Sequence, residues 1–211
     1  MTAGKHGGHL GRVYAAQAPD EIAASYDDWA ESYEAQMRAA GYRHPSVALA
    51  LLARHLPKGE GPILDAGAGT GMVGEWLAIV GYPDMEALDI SRGMLDVAKR
   101  KGCYRALHRC ALGEKLPFAD GYFAGVISTG VFTTGHVGAE ALPELLRSTR
   151  TDGILILTVK DTVWHGGFEA AIKDLVTAGR IAVLEESVPY ISMPGEKDTI
   201  PGRALAIRVR G

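Results

Sequence analysis

The stretch ILDAGAGTG, residues 63–71, decides how the chain folds. A short apolar run ends on Asp65, and Gly67, Gly69 and Gly71 follow before a helical pattern begins. Without Cβ atoms, glycines let the chain turn sharply from strand to helix and let a ligand approach the main chain. The stretch therefore predicts a strand, a tight turn that receives a nucleotide-like cofactor, and a helix. Gly69, Gly71 and Gly74 also satisfy G-x-G-x-x-G, a spacing that suits a nicotinamide dinucleotide equally well.

Working outward, short apolar runs alternate with helical ones from Pro62 onward, the pattern of βαβ units around a mainly parallel sheet. Strands are expected at 63–65, 85–89, 105–108, 125–129 and 154–159, with helices at 71–80, 91–101 and 139–148. Gly81 and Gly102 stand where left-handed C-caps belong. A helix at 168–178 then precedes strands at 181–188 and 204–209, an antiparallel pair at one edge, with a loop at 189–202 near the substrate opening. Upstream, Ile22, Tyr26, Trp29, Tyr33 and Met37 recur at helical spacing on one aromatic face. Ser46 offers a cap for a second helix through Leu56, which Pro57 and Gly59 end. The domain reading is a flexible tail over 1–18 and one domain over 19–211, divided into a helical cap (19–57) and an α/β core (62–211).

Of the 211 residues, 47% are hydrophobic and 22% charged, as in soluble globular domains. A net charge of -3 lacks the basic footprint of a general nucleic-acid binder, so no nucleic-acid partner is expected. The longest apolar runs fall far short of the roughly 18 residues that cross a bilayer, so no membrane association is expected. The N-terminus has no secretory apolar core, and two cysteines, Cys103 and Cys110, suit a reducing cytoplasm. Their spacing does not spell a metal site, and His6 and His9 in a glycine-rich tail read as disordered rather than as ligands; no metal is expected.

Asp89 ends the second strand twenty residues beyond Gly69, where a carboxylate can accept both hydroxyls of an adenosine ribose. Its plainer reading is a cap for the helix beginning near Ser91. With Asp65 ahead of Gly67, Gly69 and Gly71, the chain resembles the class I S-adenosylmethionine-dependent methyltransferases, whose first motif joins an acidic strand end to G-x-G-x-G. YDDWAESYE (26–34), LDIS (88–91) and the segment 130–146 extend the likeness to the methyltransferase-like proteins typified by the Williams-Beuren syndrome region protein. The resemblance implies a Rossmann-like α/β fold: a mainly parallel seven-stranded sheet flanked by helices, an antiparallel C-terminal edge strand and an N-terminal helical cap. It further implies S-adenosylmethionine as cofactor, S-adenosylhomocysteine as product, and in-line transfer of the methyl group to a small-molecule acceptor. Nicotinamide cofactors place a phosphate at the helix start; S-adenosylmethionine places an ammonium there, which suits the carboxylate of Asp65.

On this resemblance Asp65 and Gly67 face the methionine end, Asp89 the ribose, and Ile90 and Met94 the adenine, with Ala66, Gly69, Gly71 and Met72 completing the glycine loop. Cys110, Ala111 and Leu112 stand where the family often has a carboxylate for the adenine, leaving main-chain atoms to bind the ring. Ser128, Thr129 and Gly130 end the fourth strand beside the sulfonium. Tyr26 and Tyr33 are expected as an aromatic lid and Trp29 as a core residue, although a helical aromatic stripe is by itself ordinary core. His136 is the general-base candidate, with helix capping or backbone bonding as its other reading. Lys160, Asp161, Trp164 and Tyr190 lie where substrate selectors belong, yet Lys160 and Asp161 read first as solvent-facing strand-end residues. A silent S-adenosylmethionine-binding partner protein and a nicotinamide oxidoreductase share the glycine loop, and the assembly is expected to be a monomer or homodimer.

Overall fold

The computed structural model describes residues 8–16, 18–197 and 199–211. Strands β1 (Ile63–Ala66), β2 (Met85–Asp89), β3 (Ala106–Arg109), β4 (Phe123–Phe132), β5 (Thr149–Lys160), β6 (Ile181–Glu186) and β7 (Gly202–Val209) form one sheet in the order β3-β2-β1-β4-β5-β7-β6. The first five pair in parallel. β7 runs antiparallel to both neighbours, β5 and the edge strand β6. The sequence order reverses between β1 and β4, and a crevice at such a switch point is where α/β sheets bind ligands.

Both faces of the sheet are covered, which is why β1 and β2 are buried along their whole length. Successive side chains alternate sides: Ile63 packs with Leu52, Leu77 and Leu95 on one face, Leu64 with Leu145, Phe168 and Ile172 on the other. The first face is built from helices α3 (His44–His55), α4 (Met72–Val80) and α5 (Arg92–Lys101), the second from α6 (Leu142–Ser148) and α8 (Glu169–Thr177). Gly81 and Gly102 take the expected left-handed C-cap conformation. Ser91 is the N-cap of α5, its hydroxyl accepting from the Met94 N–H at 3.0 Å. Ser91→Ala is expected to lower unfolding stability by about 1 kcal/mol, read from urea midpoints; an unchanged midpoint would deny the cap a net role.

Three expectations are corrected. Residues 8–15, read as flexible tail, form helix α1 (Gly8–Ala15). Val13 is buried against Trp29, Met37 and Met193, and the His9 ring stacks on Trp29 at 5.6 Å. Tertiary burial holds this helix, which its glycine-rich composition does not announce; the remainder of that tail reading, His6 included, lies largely outside the described residues. Ser46 is not a cap, because α3 starts at His44 with Pro45 in its first turn, where the missing N–H costs nothing. Finally, α7 (Asp161–Val163) and a turn at Trp164–Phe168 precede α8; Gly167, at φ 123°, kinks the backbone there and hides the periodicity.

Helix α2 (Pro19–Ala39) lies across the carboxyl ends of the strands and is tied down at two points. Asp27 accepts from the Ser91 hydroxyl (2.5 Å) and the Gly93 N–H (2.7 Å), a close approach that Gly93 permits, since a Cβ there would stand 3.0 Å from Asp27 Cα. Glu34 accepts from the Thr70 hydroxyl at 2.7 Å and pairs with Lys101 at 2.6 Å. Burial raises the Glu34 pKa, but Lys101 and Thr70 outweigh it and the net shift is downward. Among the described residues no helix is long and apolar enough to cross a membrane, and no group of three or more His, Cys, Asp or Glu is arranged to hold a metal.

Candidate active site

A cleft opens at the carboxyl ends of β1, β2 and β4, beneath α2. Of the expected residues, Tyr26, Tyr33, Gly67, Gly69, Asp89, Ile90, Met94, Cys110, Ala111, Leu112, Thr129, Gly130 and His136 line it. Pro19, Ile22, Leu88, Val131 and Val137 also line it and were not anticipated. All five are apolar; Leu88, Val131 and Val137 fall within segments that carry the family resemblance and Ile22 on the aromatic helix face, but an apolar side chain at such a position reads as ordinary core.

The glycine loop forms one wall. The Gly67 and Ala68 N–H groups donate to the Leu88 carbonyl at 2.8 and 3.0 Å, fastening the turn to β2. Gly67 has φ +79°, and a Cβ there would overlap the Val131 side chain. Gly69 has φ +54° with open space where a Cβ would stand, so its main chain is presented to the cleft. Its N–H donates to Asp89 Oδ2 at 2.8 Å, while Asp89 Oδ1 accepts from the Ser91 N–H at 2.9 Å. Asp89 thus anchors the loop, and Ser91, not Asp89, caps the helix. Burial raises the Asp89 pKa against these backbone donors, which favour the carboxylate. A carboxylate offers about four lone-pair sites, so it retains acceptor capacity for a ligand.

Asp65, Ala66, Gly71, Met72 and Ser128 do not line the cleft, for separate reasons. Asp65 is fully buried; its Oδ2 accepts from the Tyr104 hydroxyl at 2.6 Å and its Oδ1 has no partner. Burial lifts its pKa to about 7, with Tyr104 pulling it down and the nearby Asp89 adding to the rise. The Ser128 hydroxyl donates to the Ala66 carbonyl at 2.7 Å, clamping β4 to β1. Gly71, at φ +79°, faces Tyr104 and Ala98, and Met72 packs on the cluster beneath α2. Gly74 makes room for the Tyr104 ring, so the third glycine of G-x-G-x-x-G serves packing.

His136 reaches the cleft from the segment after β4. Its Nδ1 lies 3.3 Å from the Thr134 carbonyl, which can only accept, so Nδ1 carries the proton. Nε2 then accepts from the Tyr26 hydroxyl at 2.9 Å. Burial lowers the His136 pKa, the Thr134 carbonyl opposes this, and the charge of Lys160 adds to the lowering. A neutral imidazole near pH 7 follows. Cys110 borders the opposite end, its thiol directed at the Ala111 carbonyl at 3.6 Å and its pKa raised by burial.

A second cavity shares Tyr26, Tyr33 and Gly130 with the cleft and is otherwise lined by Trp29, Tyr42, His44, Thr133, Lys160 and neighbours. Lys160, read as solvent-facing, is only 8% exposed. His44 was not singled out in the sequence; it is buried, with Nδ1 at 2.6 Å from the Tyr190 hydroxyl, and burial together with Lys160 lowers its pKa to about 3. Asp161 pairs with Arg203 at 3.0 Å, and that guanidinium covers Trp164 at 4.5 Å, so both serve packing.

A family model described as a methyltransferase domain matches residues 64–157. The chain is 34% identical over 181 residues to methyltransferase-like protein 27 of Homo sapiens, covering 80% of this chain and 72% of that one. It is 30% identical over 182 residues to a demethylmenaquinone methyltransferase of Renibacterium salmoninarum, covering 84% and 75%. In fold it matches the 1,6-didemethyltoxoflavin-N1-methyltransferase of Burkholderia thailandensis, solved with 1,6-didemethyltoxoflavin and S-adenosylhomocysteine, at a TM-score of 0.63 and 20% identity over 92% and 91% of the two chains.

Proposed function

The chain belongs to the class I S-adenosylmethionine-dependent methyltransferases, and from that premise we propose that it methylates a small organic acceptor with S-adenosylmethionine held in the cleft. The observation that carries this reading is the buried carboxylate of Asp89, fixed by the Gly69 N–H beside open space at Gly69. Asp89 accepts the ribose hydroxyls, Ile90, Met94 and Leu112 supply apolar walls for the adenine, and main-chain atoms of Ala111 and Leu112 bind its edge. The cofactor supplies an activated methyl group on a sulfonium, so the protein's task is to align the acceptor and remove a proton where one must leave. Tyr26 and Tyr33 cover the reacting end, and neutral His136 takes the acceptor's proton by relay: the Tyr26 hydroxyl receives that proton as it passes its own to the His136 Nε2 it already faces. The free cysteines, Cys103 and Cys110, are in keeping with work in a reducing cytoplasm.

The test is incubation with methyl-labelled S-adenosylmethionine and a metabolite extract. Transferred label and S-adenosylhomocysteine are expected together. Cofactor binding by calorimetry with neither product would instead describe a silent binding protein, and binding of NAD(H) alone would return the glycine loop to an oxidoreductase. With an acceptor in hand, His136→Ala is expected to lower turnover at unchanged cofactor affinity; undiminished turnover would show that the imidazole removes no proton.

A further inference from the structure

We infer that the methyl acceptor carries a compact anionic group, the size of a carboxylate, which seats in the second cavity against Lys160, Trp29 and Thr133. This rests on the methyl-transfer reading and adds to it the charge of the acceptor. The cavity adjoins the cleft through Tyr26, Tyr33 and Gly130, so a molecule anchored in it extends toward the reacting end.

The polar groups around the cavity point to an anion. Trp29 Nε1 and Thr133 Oγ1 are both buried without a hydrogen-bond partner. Trp29 is 1% exposed, and an indole N–H can only donate. Such a donor, left unmet in a folded core, is costly and asks for an acceptor. Lys160 is buried beside them, and its charge is felt at both His44 and His136, which places a cation within electrostatic reach of the cavity and of the cleft. The described residues that line the cavity include no Asp or Glu. A buried ammonium and two unmet donors reject a cationic group, and they gain more from a charged acceptor than from a neutral one. They are matched by a group with several lone pairs and a negative charge.

Size narrows the group further. The cavity volume is ≈ 40 Å³, room for about three water-sized groups. A carboxylate fills that space; a ring system does not. The body of the acceptor therefore lies outside the cavity, past Gly130, with its reactive atom toward the methyl donor.

The indole N–H of Trp29 is itself the reporter. In nitrogen-15-labelled protein saturated with S-adenosylhomocysteine, its signal is identified among those of Trp29, Trp76 and Trp164 by its loss in Trp29→Phe. Sodium acetate and acetamide, matched in size, are titrated at constant ionic strength. Acetate is expected to shift the Trp29 signal at a concentration at least about tenfold below that needed for acetamide, and Lys160→Met is expected to remove that advantage. Retained S-adenosylhomocysteine affinity controls for folding, and Thr133→Val, close in shape, provides a second variant with the same expected direction. Equal responses to the two probes, an unmoved Trp29 signal, or acetate titrations in both variants that match the unmodified protein would overturn the proposal.

The acceptor itself gives the complementary arm. A metabolite extract is divided on an anion exchanger before reaction with labelled cofactor, and the retained fraction is expected to take the label. Label taken only by the unretained fraction would overturn the anionic acceptor while leaving methyl transfer intact. Label in neither fraction would count against methyl transfer itself, and the acetate titration then decides the anion seat on its own.

Discussion

Asp89→Ala is expected to weaken S-adenosylmethionine binding about a hundredfold, a loss of about 3 kcal/mol. Two effects combine. The ribose hydroxyls lose a charged acceptor, an interaction of about 1.5 to 3 kcal/mol in a buried setting. The Gly69 N–H, now held at 2.8 Å by Asp89 Oδ2, loses the partner that fixes the loop in its open-faced shape. Calorimetry with S-adenosylmethionine and S-adenosylhomocysteine measures the change, and Asp89→Asn, which keeps the shape and one acceptor oxygen, should fall between the two. Affinity within about threefold of the unmodified protein, in a folded variant, would show that the ribose does not rest on Asp89.

That Asp89 stands at the site was legible in the sequence because the relation is local to one βαβ unit: a strand end, a glycine turn and a fixed spacing between them. The same holds for the sheet, whose alternating apolar runs and terminal glycines carry the fold without reference to distant parts of the chain. Asp65 belongs to another case. Its surroundings are decided by Tyr104, 39 residues away, whose hydroxyl it accepts. Residue type and motif position placed it at the cofactor, whereas packing of Tyr104 into the gap left by Gly74 turns it into the core.

The second cavity was illegible for the same physical reason. Lys160 ends a strand, and strand-end lysines usually meet water; here α1, α2 and the loop carrying Met193 close over it. His44 and Tyr190 are 146 residues apart and meet only in the folded chain. Trp29 shows the limit most clearly. Helical periodicity correctly assigns its ring to the core, but no periodicity reveals that its N–H is left without an acceptor.

Buried Asp65 and His44 set up a compensated response to acid. Asp65 has an ordinary pKa of 3.8 and a folded value of about 7, so the folded state holds a proton that the unfolded chain has released. Its contribution to stability is complete below 3.8 and is lost as pH rises toward about 7. For His44 the ordinary value is 6.5 and the folded value about 3, so the unfolded chain takes a proton that the folded state refuses. Its contribution is complete above 6.5 and is lost as pH falls toward about 3. The two slopes oppose each other across the shared window, each at about 1.4 kcal/mol per pH unit. Raised Asp89 and lowered His136 oppose each other in the same senses. Glu34 and Glu86, both lowered below 4.5, begin to lose stability only at more acidic pH. Urea unfolding is therefore expected to show a nearly flat stability between about pH 6.5 and pH 5 in the unmodified protein. Asp65→Asn should unmask the histidine and lose about 2 kcal/mol on acidification across that window, while His44→Gln should gain about as much relative to its own value at the upper pH. Parallel pH profiles for all three proteins would mean that neither buried group titrates differently in the folded state, and that the carboxyl of Asp65 is not the proton store that its unpartnered oxygen makes it.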